Sequence, residues 1–118
     1  MLNNAKLNNL FKLSSKITVY IPSTTDIDKP IDNTKYINAC ATLLSDLFGG
    51  ATSCQVLGYW TSPTKGLVKE HTTQVFAYCS DKDLQEHAEK VIDFCENLKF
   101  ELEQDAIALE INGEMYFI

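Results

Sequence analysis

Residues 80–102 read SDKDLQEHAEKVIDFCENLKFEL and predict a long amphipathic helix. Ser80 followed by Asp83 is typical of a helix N-terminus, because the serine hydroxyl can accept a hydrogen bond from a backbone N–H of the first turn. Apolar side chains then recur every three or four residues, at Leu84, Ala88, Val91, Cys95, Leu98 and Leu102. That spacing puts them on one face of the helix, which must pack against a sheet or another helix.

Alternating and β-branched segments on both sides of this helix predict strands. Residues 16–22 alternate apolar and polar side chains and end at a proline, which is typical of a half-buried strand. Residues 51–61 and 67–79 are rich in Thr, Val and aromatic residues, and the short segment between them predicts a long hairpin. Asn112-Gly113 predicts a second, tight hairpin between residues 106–111 and 114–118.

Two further helices complete the predicted order of elements. A helix over residues 34–48 is followed by Gly49-Gly50, and a short amphipathic helix is expected over residues 4–14. The order α, β, α, β, β, α, β, β predicts an α+β, ferredoxin-like split βαββαβ fold with an antiparallel sheet, an extra N-terminal helix and a C-terminal hairpin strand. We expect one domain, with a helical arm over residues 1–15 and the core over 16–118.

Such a sheet has one face under helices and one face open. Strand alternation predicts that six side chains point at the helices: Ile17, Val19, Ile21, Ile107, Leu109 and Ile111. The opposite face would carry Thr18, Tyr20, Ala106, Ala108 and Glu110. Because the alanines are small and Tyr20 is aromatic, another sheet or a ligand could approach closely, and we expect a homodimer through this open face.

Charge and motifs exclude several classes of function. The chain has no arginine and a net charge of −6, which argues against nucleic-acid binding. No cysteine pair, histidine spacing or serine motif has the pattern of a metal, redox or nucleophilic site, so we predict no catalytic residue, metal or cofactor. The four cysteines are interpreted as reduced core residues. With neither a signal peptide nor a membrane-spanning run predicted, the expected location is cytoplasmic.

The negative charge is concentrated on the long helix, for which two interpretations stay open. Residues 80–105 carry the whole net charge, and an acidic face is expected opposite the apolar one, formed by Glu86, Glu89, Asp93, Glu96 and Glu103. This face could simply keep the protein soluble. Alternatively, it could bind a protein partner with a basic surface.

The loop end of the long hairpin holds the other candidate site. Tyr59, Trp60, Glu70 and His71 fall there, and Trp60 is the only tryptophan of the chain. Large aromatic residues at a strand end usually anchor a core or an interface, but they also line ligand pockets and binding hot spots. Because Glu70 and His71 are adjacent in a strand, their side chains are expected on opposite faces and not as an acid–base pair.

At this hairpin the chain resembles a widespread bacterial family of small proteins of unknown function. The matching segments are Phe48-Gly49-Gly50-Ala51-Thr52, Leu57-Gly58-Tyr59-Trp60, Gly66-Leu67-Val68-Lys69-Glu70 and Gln104-Asp105-Ala106-Ile107. The resemblance implies a ferredoxin-like domain with a Gly-x-Trp strand followed by a Glu-bearing strand. It also implies that Trp60 and Glu70 are positions of interest.

Two functions are weighed on these observations. The first is a non-enzymatic protein–protein interaction module, an acidic inhibitor or accessory protein of a Gram-positive bacterium or its mobile element. The alternative is a small-molecule-binding protein or small enzyme of the dimeric α+β barrel kind. Its pocket would lie between sheet and helices and be lined by Tyr20, Trp60, Glu70 and His71.

Overall fold

The computed structural model describes residues 2–26 and 28–118. Its elements, in chain order, are α1 (Ala5–Asn8), β1 (Ser15–Pro22), β2 (Thr24–Thr25), β3 (Lys29–Pro30), α2 (Thr34–Phe48), β4 (Thr52–Ser62), β5 (Gly66–Cys79), α3 (Asp81–Glu101), β6 (Ala108–Ile111) and β7 (Glu114–Phe117). The described residues thus form three helices and a five-stranded antiparallel sheet, which confirms the predicted α+β class.

Strand β1 lies at the centre of the sheet, whose order is β4-β5-β1-β6-β7. All neighbouring strands are antiparallel, and Val19 of β1 is opposite Val75 of β5 on one side and Leu109 of β6 on the other. The short strands β2 and β3 form a separate ladder just after β1. Helices α2 and α3 pack on one face of the sheet and against each other. We call the other face the helix-free face.

The core lies between the sheet and the two long helices. Ile17, Val19 and Ile21 are fully buried there, as predicted from the alternation of β1. The predicted stripe of α3 faces the same core, with its members Leu84, Val91, Cys95, Leu98 and Leu102 buried and Ala88 packed against them. Ile107 and Leu109 are buried and Ile111 is partly buried against the cluster, so all six side chains predicted to face the helices do so.

The ends of the elements follow from local chemistry. The Ser80 hydroxyl accepts a hydrogen bond from the Asp83 backbone N–H, so this serine is the N-cap of α3. Gly49 ends α2 in the left-handed conformation, with a φ of 92°. The turn between β6 and β7 has positive φ at both Asn112 and Gly113, as an Asn-Gly hairpin requires.

The N-terminal helix is much shorter than predicted. The expected helix over residues 4–14 is a single turn, Ala5–Asn8, capped by the side chain of Asn4. Leu7, Leu10 and Phe11, whose spacing indicated the longer helix, are exposed. Isolated short helices are marginal in water, and this one has no apolar surface against which to bury its side chains.

The cysteines are split between the core and the surface. Cys40, Cys79 and Cys95 are buried free thiols, as predicted. Cys54 is exposed, so its prediction as a core residue is wrong. The reason is its position in the sheet: β4 is an edge strand, and Cys54 lies on its helix-free side, beside Gln74 of β5. Among the described residues, no helix combines the length and the apolar character needed to cross a bilayer.

The packing of α3 on the sheet can be tested by removing one side chain from the seam. We expect Leu98→Ala to lower the free energy of unfolding by about 2–5 kcal/mol, because it leaves a cavity in the core. Leu67→Ala is the matched control, since Leu67 is 65% exposed and should change stability by no more than about 0.5 kcal/mol. Urea unfolding followed by circular dichroism measures both values, and equal effects would contradict the packing described here.

Candidate functional site

A cleft opens on the helix-free face, where the C-terminal end of β1 meets the half of the β4–β5 hairpin that is nearer its loop. Its volume is about 480 Å³, within the range of small-molecule sites, roughly 300–1,000 Å³. The sheet contributes Tyr20, Pro22, Gly58, Val68, Glu70, Thr72 and Ala108 to its lining, and the segment just before β6 adds Ala106 and Ile107. The loop around β2 and β3 closes one side with Ser23, Thr24, Asp28 and Pro30. The cleft is therefore a meeting point of four parts of the chain.

Small residues make the floor of this cleft accessible. Gly58 has no side chain, and Ala106 and Ala108 present only methyl groups. A ligand could therefore lie close to the backbone of β4 and β6, between the larger side chains of Tyr20 and Glu70. The segment around Ala106 is held to the β2 region by Gln104, whose Nε2 donates to the Thr24 carbonyl oxygen at 3.1 Å.

The structure brings together some, but not all, of the candidate residues predicted at the hairpin. Tyr20, Glu70 and His71 line the cleft. Trp60 joins them through its indole Nε1–H, which donates to Glu70 Oε1 at 3.0 Å. Tyr59 does not line the cleft, because strand alternation directs it to the other face of β4.

Glu70 and His71 approach the cleft in different ways. Glu70 is opposite Gly58 in the β4–β5 register and shares the helix-free face with Trp60. His71, the next residue, is directed to the other face by strand alternation. Its carbonyl oxygen accepts a hydrogen bond of 2.6 Å from the Ser23 hydroxyl, which ties β5 to the loop after β1. Of this pair, only Glu70 directs its side chain to the helix-free face.

Two hydrogen bonds hold the Tyr20 side chain on the helix-free face. Gln74 Nε2 donates to the Tyr20 hydroxyl oxygen at 3.1 Å, and the Tyr20 O–H donates to Glu110 Oε1 at 3.2 Å. Burial raises the pKa of Tyr20, the bond from Gln74 lowers it, and the charge of Glu110 raises it again, with a net rise. The phenol is therefore protonated at neutral pH and acts as a hydrogen-bonding group, not as a base.

Sequence reasoning missed Gln74, and it placed Glu110 on this face without recognising it as part of a site. No motif marks either residue. Only their positions could have identified them as neighbours of Tyr20. Strand alternation puts both side chains on the same face as Tyr20, and Gln74 is directly opposite Tyr20 in the register.

The charges around the cleft favour a cationic ligand. Glu70 and Asp28 line it and Glu110 lies behind Tyr20, whereas Lys69 is the one lysine of the lining. Carboxylates and an aromatic ring are the groups with which proteins bind ammonium and sulfonium cations. The cleft also offers hydroxyls and an amide for neutral hydrogen-bonding groups, from Ser23, Thr72 and Gln104.

The predicted acidic face of α3 is a separate surface. Glu86, Glu89, Asp93 and Glu96 are exposed, as is Glu103 just beyond the helix. The one ion pair that the described residues show there joins Lys82 Nζ and Glu86 Oε1 at 4.0 Å, and it is itself exposed. These carboxylates line no part of the cleft. Their binding to a basic protein stays a prediction.

One cluster of metal-ligating residue types lies on the first turns of α3. Ligand atoms of Asp83, Glu86 and His87 are within 4.8 Å of one another, and the His87 ring makes an edge contact with Phe48 at 6.1 Å between centroids. The positive end of the helix dipole disfavours a cation at this position. The cluster therefore carries no functional assignment.

Comparison with known proteins gives a fold but no family. No family model and no curated protein matches the chain. Among solved structures, the chain is similar to a phage SAM lyase in complex with S-methyl-5'-thioadenosine, with a TM-score of 0.64, 16% identity, and coverage of 93% of this chain and 92% of the lyase. A phage SAM lyase in its apo state matches equally well, with a TM-score of 0.64, 18% identity, and coverage of 93% and 95%.

This likeness corrects the predicted function. It extends over nearly the whole of both chains, and the two solved structures are those of an enzyme, a phage SAM lyase. The prediction of a non-enzymatic interaction module, acting as an acidic inhibitor or accessory protein, is therefore contradicted. With no matching family model, the resemblance to a small bacterial family stays a prediction, although an α+β fold agrees with it.

The alternative prediction, a small-molecule site, needs its position corrected. The space between sheet and helices is filled by the buried core, and the cleft lies elsewhere. The cleft with Tyr20, Glu70 and His71 is on the opposite face of the sheet. Small side chains leave that face open, whereas isoleucines, valines and leucines fill the helix side.

The contact between Trp60 and Glu70 can be tested in solution by NMR. We expect Glu70→Ala to move the indole N–H resonance upfield, because the carboxylate that accepts this hydrogen bond is lost. Glu70→Gln should move it less, since the amide retains an acceptor oxygen. Glu114→Ala, on the distant strand β7, is the control. An indole resonance that is the same in Glu70→Ala and wild type would contradict the contact.

Proposed function

We propose that this protein is a lyase that binds and cleaves S-adenosylmethionine (SAM) or a closely related adenosyl sulfonium compound. The observation that carries the proposal is the cleft itself: Tyr20 and Glu70 line an acidic, ligand-sized space on the helix-free face. It occurs in a chain that shares its fold with a phage SAM lyase over 93% of its length. Acidic character and volume both suit a substrate that combines a cationic sulfur, an ammonium group and a ribose.

The chemistry of such a lyase limits what the cleft residues do. The bond between sulfur and the methionyl Cγ breaks, both of its electrons go to sulfur, and the sulfonium becomes a neutral thioether, S-methyl-5'-thioadenosine. No water is added. Cγ of the four-carbon fragment therefore forms its new bond within the fragment. Either the fragment's own carboxylate attacks Cγ and closes a lactone, or the adjacent carbon loses a proton to solvent and a carbon–carbon double bond forms.

Because positive charge disappears from sulfur during the reaction, a carboxylate in contact with the sulfur would stabilise the substrate more than the transition state. We therefore assign Glu70 to groups remote from the breaking bond. The ammonium group and the ribose hydroxyls are hydrogen-bond donors that suit its carboxylate. The Tyr20 ring and the alanine floor form the less polar part of the cleft and are assigned to the sulfonium and adenine regions.

Two finer features of the fold belong to the same proposal. The strand order β4-β5-β1-β6-β7, with every neighbour antiparallel, supports the ferredoxin-like split βαββαβ arrangement with β7 added at one edge. The chain is proposed to be a single domain with residues 1–15 as an N-terminal arm.

We also propose that copies of the chain associate through the helix-free face. Tyr78, Met115 and Phe117 are exposed on it, and Phe117 is 74% exposed. An aromatic sheet face of this kind favours burial against a second surface. Because the cleft opens on the same face, association would also shield its opening from water.

The lyase proposal predicts release of S-methyl-5'-thioadenosine from SAM. We expect wild-type protein to form it, as measured by liquid chromatography. Glu70→Gln should reduce kcat/KM by about 10- to 100-fold, the effect of losing a hydrogen bond to a charged group, about 1.5–3 kcal/mol. Glu114→Gln makes the same change at an exposed position of β7 and should have no effect. The proposal fails if wild-type protein does not release the thioether from SAM.

The association proposal predicts a change of mass. Light scattering at about 100 µM protein should give at least twice the monomer mass, and Phe117→Glu should return the chain to the monomer, because it buries a charge in the contact. Phe100→Glu is the control, since Phe100 is 84% exposed on α3 and away from this face. Wild-type protein that is monomeric at this concentration contradicts the proposal.

A further inference from the structure

Four side chains form one line of hydrogen bonds across the helix-free face. Cys54 Sγ donates to Gln74 Oε1 at 3.3 Å, Gln74 Nε2 donates to the Tyr20 oxygen at 3.1 Å, and Tyr20 O–H donates to Glu110 Oε1 at 3.2 Å. The four residues belong to four adjacent strands, β4, β5, β1 and β6. The line leads to the cleft at one point only, because Tyr20 lines it and the other three do not.

The sheet register produces this line. Gln74 is directly opposite Cys54 on one side and directly opposite Tyr20 on the other. Such cross-strand neighbours have Cβ atoms about 4.5–5.5 Å apart, so a glutamine side chain reaches both partners. Glu110 is opposite Thr18 and reaches Tyr20 diagonally.

The two ends of the Gln74 amide are chemically different, and this difference sets the direction of the Tyr20 hydroxyl. The N–H end can only donate, so with Nε2 toward Tyr20 the phenolic hydrogen must point elsewhere. It points at Glu110, where it makes a charge-assisted hydrogen bond. If the amide turned over, its oxygen would accept the phenolic hydrogen and Glu110 would lose its donor. Cys54 opposes that rotation, because its S–H donates to the amide oxygen on its own side.

We propose that Gln74 is a positioning residue for Tyr20: the polarity of its amide directs the Tyr20 hydrogen to Glu110 and leaves the phenolic oxygen as an acceptor toward the substrate in the cleft. This inference rests on the proposed lyase function for the identity of the substrate. The orientation of the hydroxyl itself does not depend on it. The substrate groups that this oxygen suits are donors or cations, such as the ammonium, the ribose hydroxyls or the sulfonium methyl.

The central test is Gln74→Glu, which keeps the shape of the side chain but replaces the donor with an acceptor. At pH 8 the introduced carboxylate should accept the hydrogen bond from the Tyr20 O–H in place of Glu110. The value of kcat/KM for SAM cleavage should then fall by about 10-fold or more. Toward acid pH the introduced carboxyl becomes protonated and can donate to Tyr20 again, so activity relative to wild type should recover. Gln55→Glu is the matched control, because Gln55 carries the same change on β4 but lies on the other side of the strand.

A second pair of variants tests the role of Cys54 with less risk to folding. Cys54→Ser retains a donor for the amide oxygen and should keep wild-type kinetics. Cys54→Ala removes the donor, allows the amide to turn over, and should lower kcat/KM by several-fold. Equal activity of the two variants would show that the amide orientation does not depend on Cys54 and would count against the inference.

A measurement without substrate separates this inference from the lyase proposal. The ¹³Cζ resonance of Tyr20 should show one more pH-dependent step in Gln74→Glu than in Gln55→Glu, because the introduced carboxyl contacts the phenol only in the first variant. If wild-type protein does not cleave SAM, the lyase proposal fails while this resonance still decides the orientation of the hydroxyl. The inference is overturned if Gln74→Glu and Gln55→Glu give the same Tyr20 titration.

Discussion

The alternation of β1 at the centre of the sheet is the constraint on which the rest of the structure depends. Ile17, Val19 and Ile21 are fully buried under the helices, and this burial fixes the register of β1. A slip of one residue would expose all three, because side chains alternate with a period of two. The same alternation places Tyr20 on the helix-free face, beside Gln74. The core and the candidate site therefore lie on opposite faces of the same strand, β1.

The site exists because the two faces of the sheet are filled differently. On the helix side, branched and long aliphatic residues meet α2 and α3 and leave no room for a ligand. On the helix-free side, Gly58, Ala106 and Ala108 leave a hollow between Tyr20 and Glu70. The long hairpin β4–β5 extends beyond the helices and supplies Glu70 and Trp60 at the edge of this hollow. Larger side chains at those three positions would extend into this hollow.

Much of the fold could be predicted from the sequence because its determinants are local. The α3 stripe, the Ser80 cap and the Asn112-Gly113 turn each depend on residues within a few positions of one another. The prediction of a longer N-terminal helix was wrong for the opposite reason. Its apolar spacing was present, but a helix of that length needs a surface to pack against. Cys54 was misplaced because composition does not show which strand of a hairpin lies at the edge of a sheet.

The candidate site was only partly predictable. Tyr20, Trp60 and Glu70 were identified from residue type and position, but the contacts that organise them join β1, β5 and β6, which are far apart in sequence. Gln74 has no motif and gains its role only from the register. The non-enzymatic function was predicted from the absence of a catalytic motif, and the fold shared with a phage SAM lyase contradicts that prediction. The proposed cleavage of SAM, whose leaving group is part of the substrate, requires chiefly a shaped and charged cleft.

The most direct test of the cleft as the ligand site is to map the position of bound S-methyl-5'-thioadenosine. Changes in backbone amide chemical shifts during a titration give this position. The account predicts that Gly58, Glu70 and Ala108, which line the cleft, shift together with a single dissociation constant, while Gly113 in the distant turn does not. Shifts confined to the helix side of the sheet, or no shift at any accessible ligand concentration, would contradict it.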